Sequence, residues 1–239
     1  MTATHPILDF YANRRTRRDY KREPLAEGDL ERIIAAGQRA PTGASGQIYS
    51  VIRIAQPALR EHITTLSGGQ THIRDAAEFL VFCLDVRRNR QLLAHQGSKY
   101  DMRPRIAVHY GTMDALLMAA NVATAAEALG YGTCFIGNVL NYIDDLARML
   151  QLPTGVLPLV GLTIGVPAEQ APPPTPRLPQ KLILHQDTYH DPTPADIDAA
   201  FEAMGDKWAE TLQRFFGPDG AFAQREEIWE RTLVQQGFA

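Results

Sequence analysis

The spacing of apolar positions divides this chain into alternating helical and strand-like segments. Ile7 to Asn13 predicts a short helix that runs into a cluster of arginines. After Glu23-Pro24, Leu25 to Arg39 predicts a second helix, with Leu25, Leu30, Ile33 and Ile34 at helical spacing. Pro41 ends it, and Pro41-Thr42-Gly43-Ala44-Ser45-Gly46-Gln47 reads as a loop of small residues. Tyr49 to Ile54 predicts a strand. Pro57 to Leu66 predicts a helix that stops at the tight loop Ser67-Gly68-Gly69-Gln70. Phe79 to Leu84 is continuously apolar, as a strand covered on both faces should be. Asp85 to Tyr110 is polar and reads as an exposed, irregular excursion carrying a loose basic patch.

Thr112 to Leu129 is the most hydrophobic helix, with Met113, Leu116, Leu117, Ala120, Val122, Ala123 and Ala126 spread around its circumference. A helix apolar on all sides is buried, at a domain centre or a subunit interface. Gly130 suits the position just past its end. Thr133 to Ile136 and Leu157 to Val166 predict two further strands, with a short helix over Ile143 to Leu150 between them. The proline-rich stretch 171–179 excludes helix. Beyond it, Pro194 to Phe215 and Gln224 to Gln236 predict helices separated by a Gly-Pro-Asp-Gly turn at 217–220. They lie past the last strand, like an arm that wraps something such as a second subunit. The expected organisation is a core over 1–170 and a linker with helical extension over 171–239, within one domain.

At 239 residues, 45% hydrophobic and 21% charged, the chain suits a soluble globular protein with a sizeable core. Its net charge of -3 argues against a general nucleic-acid binder. Cys83 and Cys134 each lie in an apolar, strand-like stretch, as reduced buried thiols do. No apolar run approaches a membrane span, and the start of the chain carries no signal-peptide pattern. A cytoplasmic location is expected.

Charge then singles out Arg14-Arg15-Thr16-Arg17-Arg18-Asp19-Tyr20. Four arginines in five positions form either a solvated basic face or a cradle whose planar guanidiniums converge on a phosphate. The loop Thr42-Gly43-Ala44-Ser45 is either a plain turn or a place where backbone approaches a ligand closely. Ser67-Gly68-Gly69-Gln70 carries the same two readings. Neither G-x-G-x-x-G nor G-x-x-x-x-G-K-[ST] occurs, and Gly43-Ala44-Ser45-Gly46 lacks the G-x-S-x-G spacing of a nucleophile elbow. The seven histidines show no zinc spacing, so no metal is expected.

Taken in order, several motifs resemble the flavin-dependent nitroreductase family. Arg15-Thr16-Arg17-Arg18-Asp19-Tyr20 followed by Ala40-Pro41-Thr42-Gly43-Ala44-Ser45-Gly46-Gln47 looks like its opening. Leu66-Ser67-Gly68-Gly69-Gln70-Thr71-His72, Ala76-Ala77-Glu78-Phe79 and Pro176-Arg177-Leu178-Pro179 are similar to its NADPH nitroreductase and flavin reductase subgroup, as is Leu184 to Tyr189. The resemblance implies an α+β fold with a central, mainly antiparallel sheet flanked by helices and a C-terminal extension wrapping the partner of a homodimer. It implies FMN at the dimer interface and NADPH or NADH as co-substrate. Nitroaromatics, quinones or flavins would be the acceptors, reduced in ping-pong fashion.

Carried over by position, Arg14, Arg15 and Arg18 hold the phosphate, ribityl chain or polar ring edge, while Arg17 points elsewhere. Thr42, Gly43 and Ala44 match serine-like contacts, and Gln70 lies near the isoalloxazine. Gly137 and Asn138 match backbone donors near the ring, and Arg177 matches a second anchor. The lysine that the subgroup often carries two positions before that arginine is Thr175 here. Arg214 and Arg225 are the candidates for the 2′-phosphate of NADPH, beside the plain reading of surface arginines. The resemblance assigns no catalytic side chain, because the flavin carries the redox chemistry. A flavin or quinone reductase, or a flavin-binding sensor without turnover, are the alternatives.

Overall fold

The computed structural model describes residues 5–168 and 171–239. Helices α1 (Pro6–Asn13) and α2 (Asp29–Gly37) precede strand β1 (Tyr49–Arg53). Helices α3 (Pro57–Leu66) and α4 (His72–Asp75) lead into β2 (Glu78–Asp85), and then come α5 (Arg87–His95) and α6 (Pro104–Ala128). Strand β3 (Gly132–Ile136), helix α7 (Ile143–Met149) and strand β4 (Val156–Gly165) complete the sheet. Helices α8 (Pro194–Met204), α9 (Trp208–Phe216) and α10 (Glu226–Gln235) follow. The sheet is antiparallel throughout, in the order β1-β2-β4-β3.

The continuous apolar run of β2 has the cause expected for it, since every residue of the strand is buried. Side chains of a strand alternate between faces, and here each face has its own cluster. Leu80 and Phe82 join Val160, Leu162 and Ile164 beneath α6. Phe79, Val81 and Cys83 join Ile63, Ile73, Cys134 and Ile136 beneath α3, α4 and α7.

Four expectations are revised, one being the single helix over Pro194 to Phe215, which breaks at Gly205 (φ 82°) into α8 and α9. Helix α2 starts at Asp29 rather than Leu25, because Gly28 adopts φ 79° and caps it there. The polar stretch 85–110 is largely helical, supplying α5 and the first turns of α6. Its two charged segments face water and so lack the apolar period by which helices are recognised. Helix α6 is not covered on all sides. Its buried face is a run of mostly small residues, Ala107, Gly111, Ala115, Ala119, Val122 and Ala126, which lets it lie close against the sheet. Its large apolar residues Ile106, Tyr110, Met113, Leu116 and Leu117 are each more than a third exposed.

The chain divides into two compact units, Met1–Pro172 with Glu227–Ala239, and Pro173–Glu226. The last residues therefore return to the sheet unit. There Gly155 N donates to the Gln236 carbonyl at 2.8 Å, and Phe238 is buried. Within the second unit, α8 begins at a capping box formed by Thr193 and Asp196, and Lys181 pairs with Asp196 at 2.6 Å.

Candidate cofactor site

The arginine run is laid out by the sheet. Arg17 N donates to the Thr133 carbonyl at 2.8 Å, and Thr16 bridges Thr133 in parallel, so residues 14–20 lie alongside β3. The far end is pinned by Tyr20, whose hydroxyl donates to the Arg17 carbonyl (2.7 Å) and meets Thr163 Oγ1 at 2.9 Å. Arg14, Arg15 and Arg17 then line a cleft of about 370 Å³ with Glu127 and Tyr131. Arg17, expected to point elsewhere, therefore shares this cleft, with its aliphatic stem across Gly132. Arg18 is exposed and lies beside Cys134 and His72, to whose sulfur and imidazole its charge is coupled.

Arg14, Arg15 and Arg18 differ in their partners. Arg14 pairs with Glu127 at 3.2 Å. Arg15 Nη1 donates to the backbone carbonyls of Ala12 (3.0 Å) and Arg14 (2.8 Å), at the end of α1. Among the described residues no carboxylate pairs with Arg15 or Arg18. Burial pushes the Glu127 carboxyl above its usual range, with the Thr133 hydroxyl and Arg14 acting against it. Burial, with the Arg18 guanidinium next, holds the His72 imidazole below its usual range. Burial likewise raises the Cys134 thiol, and Arg18 and Arg14 oppose this.

The turn after α3 and the turn after β3 meet at one carbonyl. Gln70 Nε2 and Asn138 Nδ2 both donate to the Ser67 carbonyl, at 3.1 and 3.0 Å. The Ser67 hydroxyl is fixed in turn by Tyr142 OH at 2.6 Å. Gln70 and Asn138 are thus brought together, although 68 positions separate them in the sequence. A Cβ built on Gly137 meets nothing within 4 Å, so bare backbone borders open space beside this amide pair. Guanidiniums without carboxylates, side-chain amides and an open glycine suit a ligand with a phosphate, hydroxyls and a flat polar ring, which is the chemistry of FMN.

The loop Thr42-Gly43-Ala44 lies elsewhere. Asp114 of α6 accepts from Thr42 Oγ1 (2.5 Å), Gly43 N (3.0 Å) and Ile48 N (3.1 Å). Glu127, the partner of Arg14, lies 13 residues further along the same helix, a rise of roughly 20 Å. The cleft of Arg14, Arg15 and Arg17 thus borders the start of β3 and the amide pair follows its end, while the small-residue loop is anchored at Asp114 of α6. Arg177 is in the second unit, its Nη1 donating to the Pro176 and Thr175 carbonyls at 2.9 and 3.2 Å. Arg214 and Arg225, also in that unit, stack over Phe215 and Phe222 at 4.6 and 4.8 Å.

Sequence reasoning missed several residues that shape these places. Asp114 lies within the stretch read as an apolar helix, and Arg88 within the loose basic patch, and nothing set either apart. A carboxylate inside an otherwise apolar helix is a usable signal, because a buried charge requires donors. Ser67, Glu127 and Tyr142 carry no signal of that kind.

Comparison with known proteins agrees with this geometry. Residues 11–166 match the model of the nitroreductase family. The oxygen-insensitive NADPH nitroreductase of Salmonella typhimurium is 34% identical over 235 residues, covering 97% of this chain and 92% of that protein. The FMN reductase (NADPH) of Bacillus subtilis is 30% identical over 229 residues, covering 95% and 89%. Among solved structures, nitroreductase A of Vibrio parahaemolyticus superimposes with a TM-score of 0.79 at 29% identity, covering 87% of each chain. From the arginine run to the end of the last strand, sequence and fold give the same assignment: this chain belongs to the nitroreductase family.

Proposed function

We propose that the protein is an FMN-dependent NAD(P)H oxidoreductase that reduces nitroaromatics, quinones or flavins by two electrons. The observation that carries this reading is the pair of guanidiniums without carboxylates, Arg15 and Arg18, in a chain whose relatives include an NADPH nitroreductase and an FMN reductase. When bound, FMN supplies the hydride chemistry, taking two electrons from NAD(P)H and passing them to the acceptor. For a nitro group, two electrons and two protons give the nitroso compound and water. The chain's own residues bind and orient. Arg14, Arg15 and Arg18 hold the phosphate and the ribityl chain or polar ring edge. Gln70 and the backbone at Gly137 and Asn138 meet the polar edges of the ring, and Arg177 adds a second anchor. Thr42, Gly43 and Ala44 supply the remaining contacts.

We place this site at the interface of a homodimer. With roughly 20 Å of α6 between the anchors of its two halves, a second copy brings the loop of one chain to the arginines of the other. The exposed stripe Ile106, Tyr110, Met113 and Leu117 follows helical spacing on α6 and supplies an apolar face for that pairing. The segment 171–226 acts as the arm around the partner. Among the described residues no helix is long and apolar enough to cross a membrane.

Purified protein should take up added FMN, turn yellow, and lose its visible flavin bands when NADPH or NADH is added without oxygen. A nitroaromatic, a quinone or free FMN should then restore the colour, with ping-pong kinetics in steady state. Protein that binds no FMN refutes the reading. Bound flavin that NAD(P)H leaves oxidised makes the protein a flavin-binding sensor instead.

A further inference from the structure

Three non-glycine residues of the loop between α2 and β1 hold left-handed backbone: Ala44 (φ 50°), Ser45 (φ 55°) and Gln47 (φ 45°). A Cβ makes this region unfavourable, so such conformations persist only where the surroundings impose them. All three residues are exposed, so the strain buries no apolar surface.

Two helices impose the shape, and they divide the loop's polar groups between them. From α6, the fully buried Asp114 carboxylate accepts from Thr42 Oγ1, Gly43 N and Ile48 N. From α5, Asn89 Nδ2 donates to the Gly46 carbonyl at 3.0 Å. Arg88 donates to the Gln47 carbonyl, to the Tyr49 carbonyl at 2.9 Å and to Ser50 Oγ at 3.4 Å. Arg88 is itself held at its backbone, where its N–H donates to Asp85 Oδ1 at 3.1 Å. The carboxylate thus takes the loop's donors, while the guanidinium and amide take its acceptors.

We infer that Arg88, Asn89 and Asp114 are positioning residues, which lock the backbone of 42–48 in the left-handed shape that the loop presents to FMN. The inference rests on the FMN reading for what the loop meets, not for how the loop is held. A loop free to relax would be competent for only a fraction of the time, and apparent affinity falls by that fraction.

The test uses the wild type, Arg88→Met and Asp114→Asn, each with and without the pair Ala44→Gly and Ser45→Gly. Asp114→Asn keeps the shape but turns donors toward donors. For each protein, FMN affinity is read by flavin fluorescence quenching and loop opening by amide hydrogen exchange at Gly43, Gln47 and Ile48. Each single variant should bind FMN about tenfold more weakly, a competent fraction near one tenth. Its loop amides should exchange at least tenfold faster, with amides of β2 and β4 unchanged. The glycine pair should restore most of the affinity, because left-handed backbone costs glycine nothing.

Wild-type affinity and exchange in both variants overturn the inference. So does faster exchange across the whole sheet with no glycine rescue, which marks a general loss of stability. If Asp114→Asn does not fold, Arg88→Met, whose side chain is 42% exposed, carries the test. If the wild type binds no FMN, the flavin reading falls while the exchange pattern still decides how the loop is held.

Discussion

On the proposed reading Arg14 meets the FMN phosphate, so Glu127 is its competitor and removing Glu127 should tighten FMN binding. The pair lies 3.2 Å apart, with the Glu127 side chain 9% exposed and that of Arg14 27% exposed. Coulomb attraction at this distance is about 5 kcal/mol at an effective dielectric of 20. Partial exposure of the guanidinium and desolvation of the carboxylate leave a net worth of about 1 kcal/mol, as for other half-exposed pairs. Glu127→Gln keeps an oxygen for the Thr133 hydroxyl that now donates to it and releases Arg14. Affinity for FMN should rise about fivefold, the equivalent of ~1 kcal/mol. Arg14→Met removes one charge-assisted contact, worth roughly 1.5–3 kcal/mol, so affinity should fall by about 10- to 100-fold. It also leaves Glu127 beside the anion, so the double variant should bind better than Arg14→Met alone. Fluorescence titration of the four proteins closes the cycle. Equal affinity of wild type and Glu127→Gln would show that Arg14 does not meet the phosphate, and the assignment would be withdrawn.

Three other outcomes follow from buried groups that hold the fold. Arg60 is buried and donates to the carbonyls of Ile54 (2.6 Å), Ala76 (2.6 Å) and Ala77 (3.0 Å). Arg60→Met strands those acceptors, costs about 3 kcal/mol, and should lower Tm by roughly 10 °C in a chain of this size. A fall under about 3 °C in a calorimetric scan would contradict that accounting. Gly111→Ala places a Cβ 2.4 Å from Leu84 Cγ, between α6 and the sheet. It should cost about 1–3 kcal/mol as overpacking, and an unchanged denaturant midpoint would refute so tight a contact. His72 titrates below its usual range in the folded chain. Its contribution is therefore intact above pH ~6.5 and is lost as pH falls from there through the lower folded value, by up to about 1.4 kcal/mol per unit. His72→Gln should flatten the fall in Tm between about pH 6.5 and 5, and an unaltered profile would mean that the imidazole charges freely in place.

Strands β2 and β4 were legible because they are buried on both faces. The run Phe79 to Leu84 admits no helical stripe, and the structure covers both of its sides. Neither α5 nor the first turns of α6 was legible, because α5 buries no residue and turns Arg88 and Asn89 inward, while the first turns of α6 bury only Ala107 and Gly111. Ala107 and Gly111 carry no hydrophobic signal, yet Gly111 is where α6 comes closest to Leu84. In the same way, Thr112 to Leu129 read as apolar all round, whereas its buried face is mostly small residues with Met118 and Val122, and Met113, Leu116 and Leu117 stay more than a third exposed. Size, not hydrophobicity alone, decides which side of such a helix faces its own domain.

The candidate site was legible wherever its chemistry is unusual in type and hidden wherever it is ordinary in type but unusual in place. Four crowded arginines and a run of small residues stand out in any chain. A glutamate at 127, a serine at 67 and an arginine at 88 do not. Their importance arises from what the fold sets against them: Arg14 at 3.2 Å, two side-chain amides on one carbonyl, and the carbonyls of a strained loop. The resemblance assigns Arg14 and Thr42 to one FMN site at a dimer interface, and within one chain the positions of Glu127 and Asp114 along α6 set their anchors roughly 20 Å apart. The homodimer proposed above is the arrangement that would reunite these two anchors, one from each chain.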